Sequence, residues 1–89
     1  MKLDICGIPF EIIERDRNSR DDGNFGKCDT KDGKIYIDKE MTLEQKRATL
    51  VHEWMHAVYT LNGIDHSEVQ VSVMATELYR NGFSLKLDD

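Results

Sequence analysis

Several things are scarce in this chain, and each scarcity narrows what it can be. There are two cysteines in 89 residues, Cys6 and Cys28, too far apart in sequence to form a Cys-x-x-Cys metal or redox motif. The two could pair with each other, but in a reducing compartment they read as buried free thiols. No apolar run approaches the length of a membrane span. The opening Met1-Lys2-Leu3-Asp4 leads into no signal-peptide core, so the expected location is cytoplasmic, with no membrane partner. Basic clusters are also missing: 12 Lys and Arg stand against 17 Asp and Glu, a net charge of −5, which disfavours a nucleic-acid partner. There is no internal repeat and no low-complexity tract. A chain of 89 residues leaves room for one domain, spanning 1–89, with a core small enough for a bound metal to add useful stability.

What is present begins with strand patterns. Leu3 and Ile5 alternate with Lys2 and Asp4, Cys6-Gly7 fits a tight turn, and Ile8, Phe10 and Ile12 alternate again. Pro9, the only proline, places its strand at an edge or puts itself at the strand's start, because it has no N–H to give to a ladder. The stretch Arg15 to Asn24 reads as a solvated loop. A second hairpin follows, with Phe25 to Thr30 as one arm, a turn at Lys31-Asp32-Gly33, and Lys34 to Asp38 as the other arm.

Two helices fill the remainder. Thr42 and Gln45 have capping-box spacing, and good helix formers run to Leu61 before Asn62-Gly63 stops them. Ser67 and Gln70 repeat the same spacing for a second helix, which ends near Arg80 at Asn81-Gly82. Phe83 to Asp89 is expected to add a short extended segment. The fold class is thus α+β: a small antiparallel sheet of three to four strands packed on two helices.

The chemistry is concentrated in His52-Glu53-Trp54-Met55-His56. Residues four apart on a helix share a face, so His52 and His56 present both imidazoles to one point. That is the spacing two nitrogens need to reach one zinc ion. Glu53 stands on the adjoining arc, where it can reach a metal-held water without ligating the metal. From Leu50 to Tyr59 every other residue is apolar or aromatic, so the helix should run through the centre of the domain. Two histidines and a carboxylate in such surroundings are costly unless paired or metal-bound.

A catalytic zinc site takes a third protein ligand and keeps a fourth position open. The metzincin extension would place Gly at 59 and His at 62, where this chain has Tyr59 and Asn62, so that arrangement is excluded. The candidates are Asp65, His66, Glu68 and Glu77. Glu68, in the first turn of the second helix, would otherwise be an ordinary acid complementing the helix dipole.

On these residues the chain resembles the small gluzincin-like metallopeptidases related to the ImmA/IrrE family, particularly the short phage and prophage versions. The matching stretches are Lys34 to Asp38, Thr42 to Arg47, Thr49 to Ala57, Glu68 to Val71 and Ala75 to Tyr79. The resemblance implies His52, His56 and Glu68 as zinc ligands, Glu53 as general base, and a peptide or protein as substrate. Val71-Ser72-Val73 departs from the family's usual residues. In zincin-like folds a strand such as Ile35 to Ile37 can pair with an extended substrate, though a plain core strand would look the same. Tyr36, Tyr59 and Tyr79 are the candidates for stabilising an oxyanion, and Trp54 and Met55 are expected to pack the core. Two other readings compete with a zinc peptidase. In one, a zinc ion closed by four protein ligands staples an interaction domain; in the other, a metal-free core holds hydrogen-bonded histidines.

Overall fold

Cys6 and Gly7 both adopt positive φ, 53° and 82°. Two successive left-handed residues make the kind of tight turn whose twist suits a hairpin. They fold β1 (Lys2–Ile5) back onto β2 (Ile8–Arg15), with Ile5 opposite Ile8. The turn leaves Cys6 exposed, contrary to the expectation of two buried thiols; both cysteines are free. The computed structural model describes residues 1–16 and 26–85. Most of the expected loop from Arg15 to Asn24, Phe25 of the hairpin arm, and positions 86–89 of the expected tail segment lie outside the described residues. Phe83 to Leu85 form neither helix nor strand.

Gly33, at φ 68°, turns β3 (Gly26–Asp29) into β4 (Lys34–Asp38). The four strands form one sheet in the order β1-β2-β4-β3. Two of its ladders are antiparallel as expected, but β2 and β4 run parallel. The reason is topological. The chain leaves β2, returns along the outer edge as β3, and reverses once more, so β4 points the same way as β2 and lies between the two. Residues 16–33 supply the long connection that parallel neighbours need. Pro9 sits near the start of β2, opposite Asp4, whereas pairing with β4 begins only at Glu11. The proline thus occupies a part of the strand with one neighbour, where its missing donor costs no ladder bond to β4.

Both capping boxes form. Thr42 and Gln45 exchange side-chain-to-backbone bonds at the head of α1 (Leu43–Leu61), and Ser67 and Gln70 do so at the head of α2 (Glu68–Arg80). Each helix ends in a Schellman motif. Gly63 and Ile64 donate to Thr60 and Tyr59, and Gly82 and Phe83 donate to Tyr79 and Leu78.

The faces of α1 explain the architecture. Leu50 and Ala57, with partly buried Trp54, Val58 and Leu61, pack on Ile5, Phe10, Ile12, Ile35 and Ile37 of the sheet. Val51 and Met55 pack on Val71 and Ala75 of α2. Trp54 and Met55 are core residues, as expected. The fold is α+β, with α1 between the sheet and α2. Its remaining face carries His52, Glu53 and His56. None of the described helices is long and apolar enough to cross a membrane.

Candidate metal centre

An open cleft of about 810 Å³ runs along that remaining face. The edge strand β3 forms one wall through Gly26 and Cys28, α1 forms the floor through Thr49, His52, Glu53 and His56, and α2 closes the other side with Glu68 and Tyr79. The helical period is what gathers the floor: positions 49, 52, 53, 56 and 60 of α1 fall on one arc.

His52 and His56 lie with ring centroids 5.0 Å apart, and their side chains are 23% and 21% exposed. Glu68 reaches across from the first turn of α2 and spans both rings. Its Oε1 is 2.6 Å from His52 Nε2 and its Oε2 is 2.9 Å from His56 Nε2. The Ser67 capping box fixes this turn, so the residue that starts the helix also aims the carboxylate. Ligand atoms of His52, His56 and Glu68 all lie within 4.8 Å of one another. Tetrahedral zinc at bond lengths of about 2.0–2.1 Å spaces its donors roughly 3.3 Å apart. Small side-chain adjustments would bring this set to that spacing, and the N, N, O donor chemistry suits zinc.

Protonation favours the same outcome. Burial lowers the pKa of the His56 imidazole; the Glu68 carboxylate opposes this, while His52 and His66 reinforce it. For Glu68, burial alone would raise the carboxyl. The hydrogen bond with His52 and the proximity of both rings outweigh it and hold the group below its ordinary value. Neutral imidazole and ionised carboxylate are the forms that bind a cation.

The other sequence candidates are placed elsewhere. Glu77 pairs with Arg80 at 3.2 Å, and Asp65 is exposed in the link between the helices. His66 stands behind His56, with its Nε2 3.0 Å from His56 Nδ1 rather than in the donor set.

Across the families, sequences and solved structures with which the chain was compared, nothing matches it. The functional reading therefore stands on geometry.

Glu53 is 8% exposed and lines the cleft beside the two rings. Its carboxylate lies against the backbone at the start of β3. A Cβ at Gly26 would come within 3.1 Å of Glu53 Cγ and Oε2, and within 2.6 Å of Thr49 Cγ2. Cys28 is on the same wall. Burial, followed by the charges of Glu53 and Asp29, pushes its thiol up to about 12. It is accordingly a neutral wall of the cleft rather than a thiolate ligand.

Of the three tyrosines, only Tyr79 lines the cleft, where its hydroxyl donates to the Glu44 carbonyl at 3.3 Å. Tyr36 lies under the Arg15 guanidinium and Tyr59 against the His66 ring. The expectation that Ile35 to Ile37 could pair with a substrate is corrected. That strand is hydrogen-bonded on both sides, by β2 and β3, and among the described residues the open edge beside the cleft belongs to β3. Gly26 and Cys28 carry no motif that marks them in the sequence. They could have been found only by seeing that a hairpin whose second arm is the more apolar puts its first arm outside.

Proposed function

We propose that this protein is a zinc-dependent metallopeptidase, a small zincin resembling the ImmA/IrrE-related enzymes of phages and prophages and working in the cytoplasm. The observation that carries the proposal is the convergence of His52, His56 and Glu68 on one point of a cleft that Glu53 also lines. In this reading the three residues hold the ion. Bound zinc supplies Lewis acidity, polarising the scissile carbonyl and making a nearby water acidic.

The remaining work falls to the chain itself. Glu53 accepts the proton of the attacking water and returns a proton to the leaving amine. Packing between α1 and β3 limits the directions its carboxylate can take. The open edge of β3 offers backbone donors and acceptors to an extended peptide lying in the cleft.

The competing reading, a zinc-stapled interaction domain, needs a closed site of four protein ligands. Among the described residues the donor group has three members, which leaves a position for water and favours the open, catalytic arrangement. The presence of Glu53 beside the ligands favours it too, since a structural site has no use for that acid.

The test is a comparison of wild type with Glu53→Gln for zinc content and for cleavage of a mixed peptide library. Zinc at one ion per chain in both proteins, with cleavage only by wild type, is the expected result. Equal cleavage by both would remove Glu53 from the chemistry. No zinc in wild type would end the proposal.

A further inference from the structure

His66 lies in the short link between the helices, just before the α2 N-cap Ser67, and its surroundings are specific. The link is tied down by the α1 Schellman motif, in which Ile64 N–H donates to the Tyr59 carbonyl at 2.9 Å. The Ile64 carbonyl in turn lies 3.0 Å from His66 Nδ1. A ring face of His66 rests against Tyr59, with centroids 5.1 Å apart. On the far side of the ring, Nε2 meets His56 Nδ1 at 3.0 Å.

The direction of these bonds follows from the carbonyl. A backbone C=O only accepts, so Nδ1 of His66 carries the proton. In the neutral ring Nε2 is then an acceptor, and His56 Nδ1–H must donate to it. That turns His56 Nε2 towards Glu68 Oε2, 2.9 Å away. A proton held between the two atoms joins them in a hydrogen bond, and a metal ion in its place makes both of them ligands.

We infer that His66 is a positioning residue: through a chain from the Ile64 carbonyl to His66 to His56, it fixes the tautomer and ring orientation with which His56 faces the metal position. The inference rests on the metallopeptidase reading for the identity of the ion, but the hydrogen-bond chain is a property of the protein alone. Metal-binding histidines usually donate their second N–H to a carboxylate, a carbonyl or water. Here a second imidazole takes that role and relays the bond to the backbone. The arrangement ties the metal site to the end of α1, so that a single six-residue link (62–67) sets both the His56 ring and, through Ser67, the Glu68 carboxylate.

The experiment has two parts. Long-range proton–nitrogen NMR on zinc-free wild-type protein labelled at histidine reads the tautomers directly. The expected spectrum has His56 and His66 both protonated at Nδ1. Zinc affinity is then measured by chelator competition for wild type, His66→Phe and His66→Gln, with circular dichroism to verify folding. His66→Phe keeps a ring against Tyr59 but has no acceptor, and its affinity should fall about 10–100-fold while it still takes up one zinc. His66→Gln places an amide oxygen near the old Nε2 and should recover most of the loss.

Unchanged affinity in His66→Phe overturns the inference. Complete loss of stoichiometric zinc in both variants also overturns it, because His66 would then be a ligand. Should His66→Phe not fold, the wild-type spectrum decides, and an Nε2–H tautomer at His56 overturns the inference. Wild type that takes up no zinc defeats the metallopeptidase reading, and this inference with it. Wild type that takes up zinc while failing either of the other tests defeats this inference alone.

Discussion

Glu68 Oε1 lies 2.6 Å from His52 Nε2, although the two residues belong to different helices and Glu68 is otherwise the more exposed partner. The contact draws the first turn of α2 over the face of α1 that carries His52 and His56. It yields a ranked prediction for metal binding. His52→Ala and His56→Ala should each remove stoichiometric zinc, measured by atomic emission on protein purified without chelators. Glu68→Ala should weaken binding, while Glu77→Ala, which breaks only an exposed pair with Arg80, should leave it unchanged. A greater loss in Glu77→Ala than in Glu68→Ala would move the third ligand.

Gly26 and Thr49 make the second prediction. A Cβ at Gly26 would sit 2.6 Å from Thr49 Cγ2, closer than real side chains come, so the Thr49 side chain, β3 or α1 must shift in Gly26→Ala. Overpacking of this kind costs about 1–3 kcal/mol, to be read from chemical denaturation. Thr49→Ser deletes the offending methyl. The double variant Gly26→Ala/Thr49→Ser should therefore recover part of the loss, with the remainder due to the Glu53 contacts at 3.1 Å. Additive losses in the double variant would show that the strain arises elsewhere.

How much of this was legible in the sequence differs from residue to residue. The helix ends were readable because caps are local: Thr42, Gln45, Ser67 and Gln70 form the boxes that their spacing predicts, and Gly63 and Gly82 stop the helices with positive φ. The His52–His56 pairing was readable because one helical turn fixes it. The parallel β2–β4 ladder was not, since alternation tells which face of a strand is buried but not which strand lies beside it. For the same reason Ile35 and Ile37 looked available to a substrate, when β3 covers their edge. His66 was visible as a metal candidate. Its place behind His56 depends on the path of the link, which no sequence spacing sets. The third-ligand candidates Asp65, His66, Glu68 and Glu77 could be separated only once α2 had a position relative to α1.

Cys28 gives a pH-dependent prediction. Its thiol pKa is raised by burial, then by Glu53 and Asp29, from 9.0 to about 12. In the unfolded chain the group loses its proton around 9.0, while in the folded protein it keeps it to about 12. Between those values the folded state binds more protons, so stability is fully present below 9.0 and declines as pH rises towards 12. Denaturation between pH 8 and 10.5 should show this decline, and Cys28→Ala should flatten it. Alkylation at pH 8 gives a second readout. Exposed Cys6 should react with iodoacetamide well before Cys28, as peptide mass mapping would reveal. Equal labelling rates would mean that the cleft wall opens to reagent.

The two capping boxes are chemically alike but are placed differently, and that difference can be measured. Thr42 caps α1 ten residues before His52, whereas Ser67 immediately precedes Glu68. Thr42→Ala and Ser67→Ala should each cost about 1 kcal/mol of stability, the usual worth of an N-cap hydroxyl. Only Ser67→Ala frees the turn that aims the Glu68 carboxylate, so only that variant should also lower zinc affinity. A Ser67→Asp variant, which restores a capping acceptor, should restore affinity along with stability. Matched falls in zinc affinity for Thr42→Ala and Ser67→Ala would mean that the metal site responds to global stability alone, and that Glu68 is not held in place by the start of its helix.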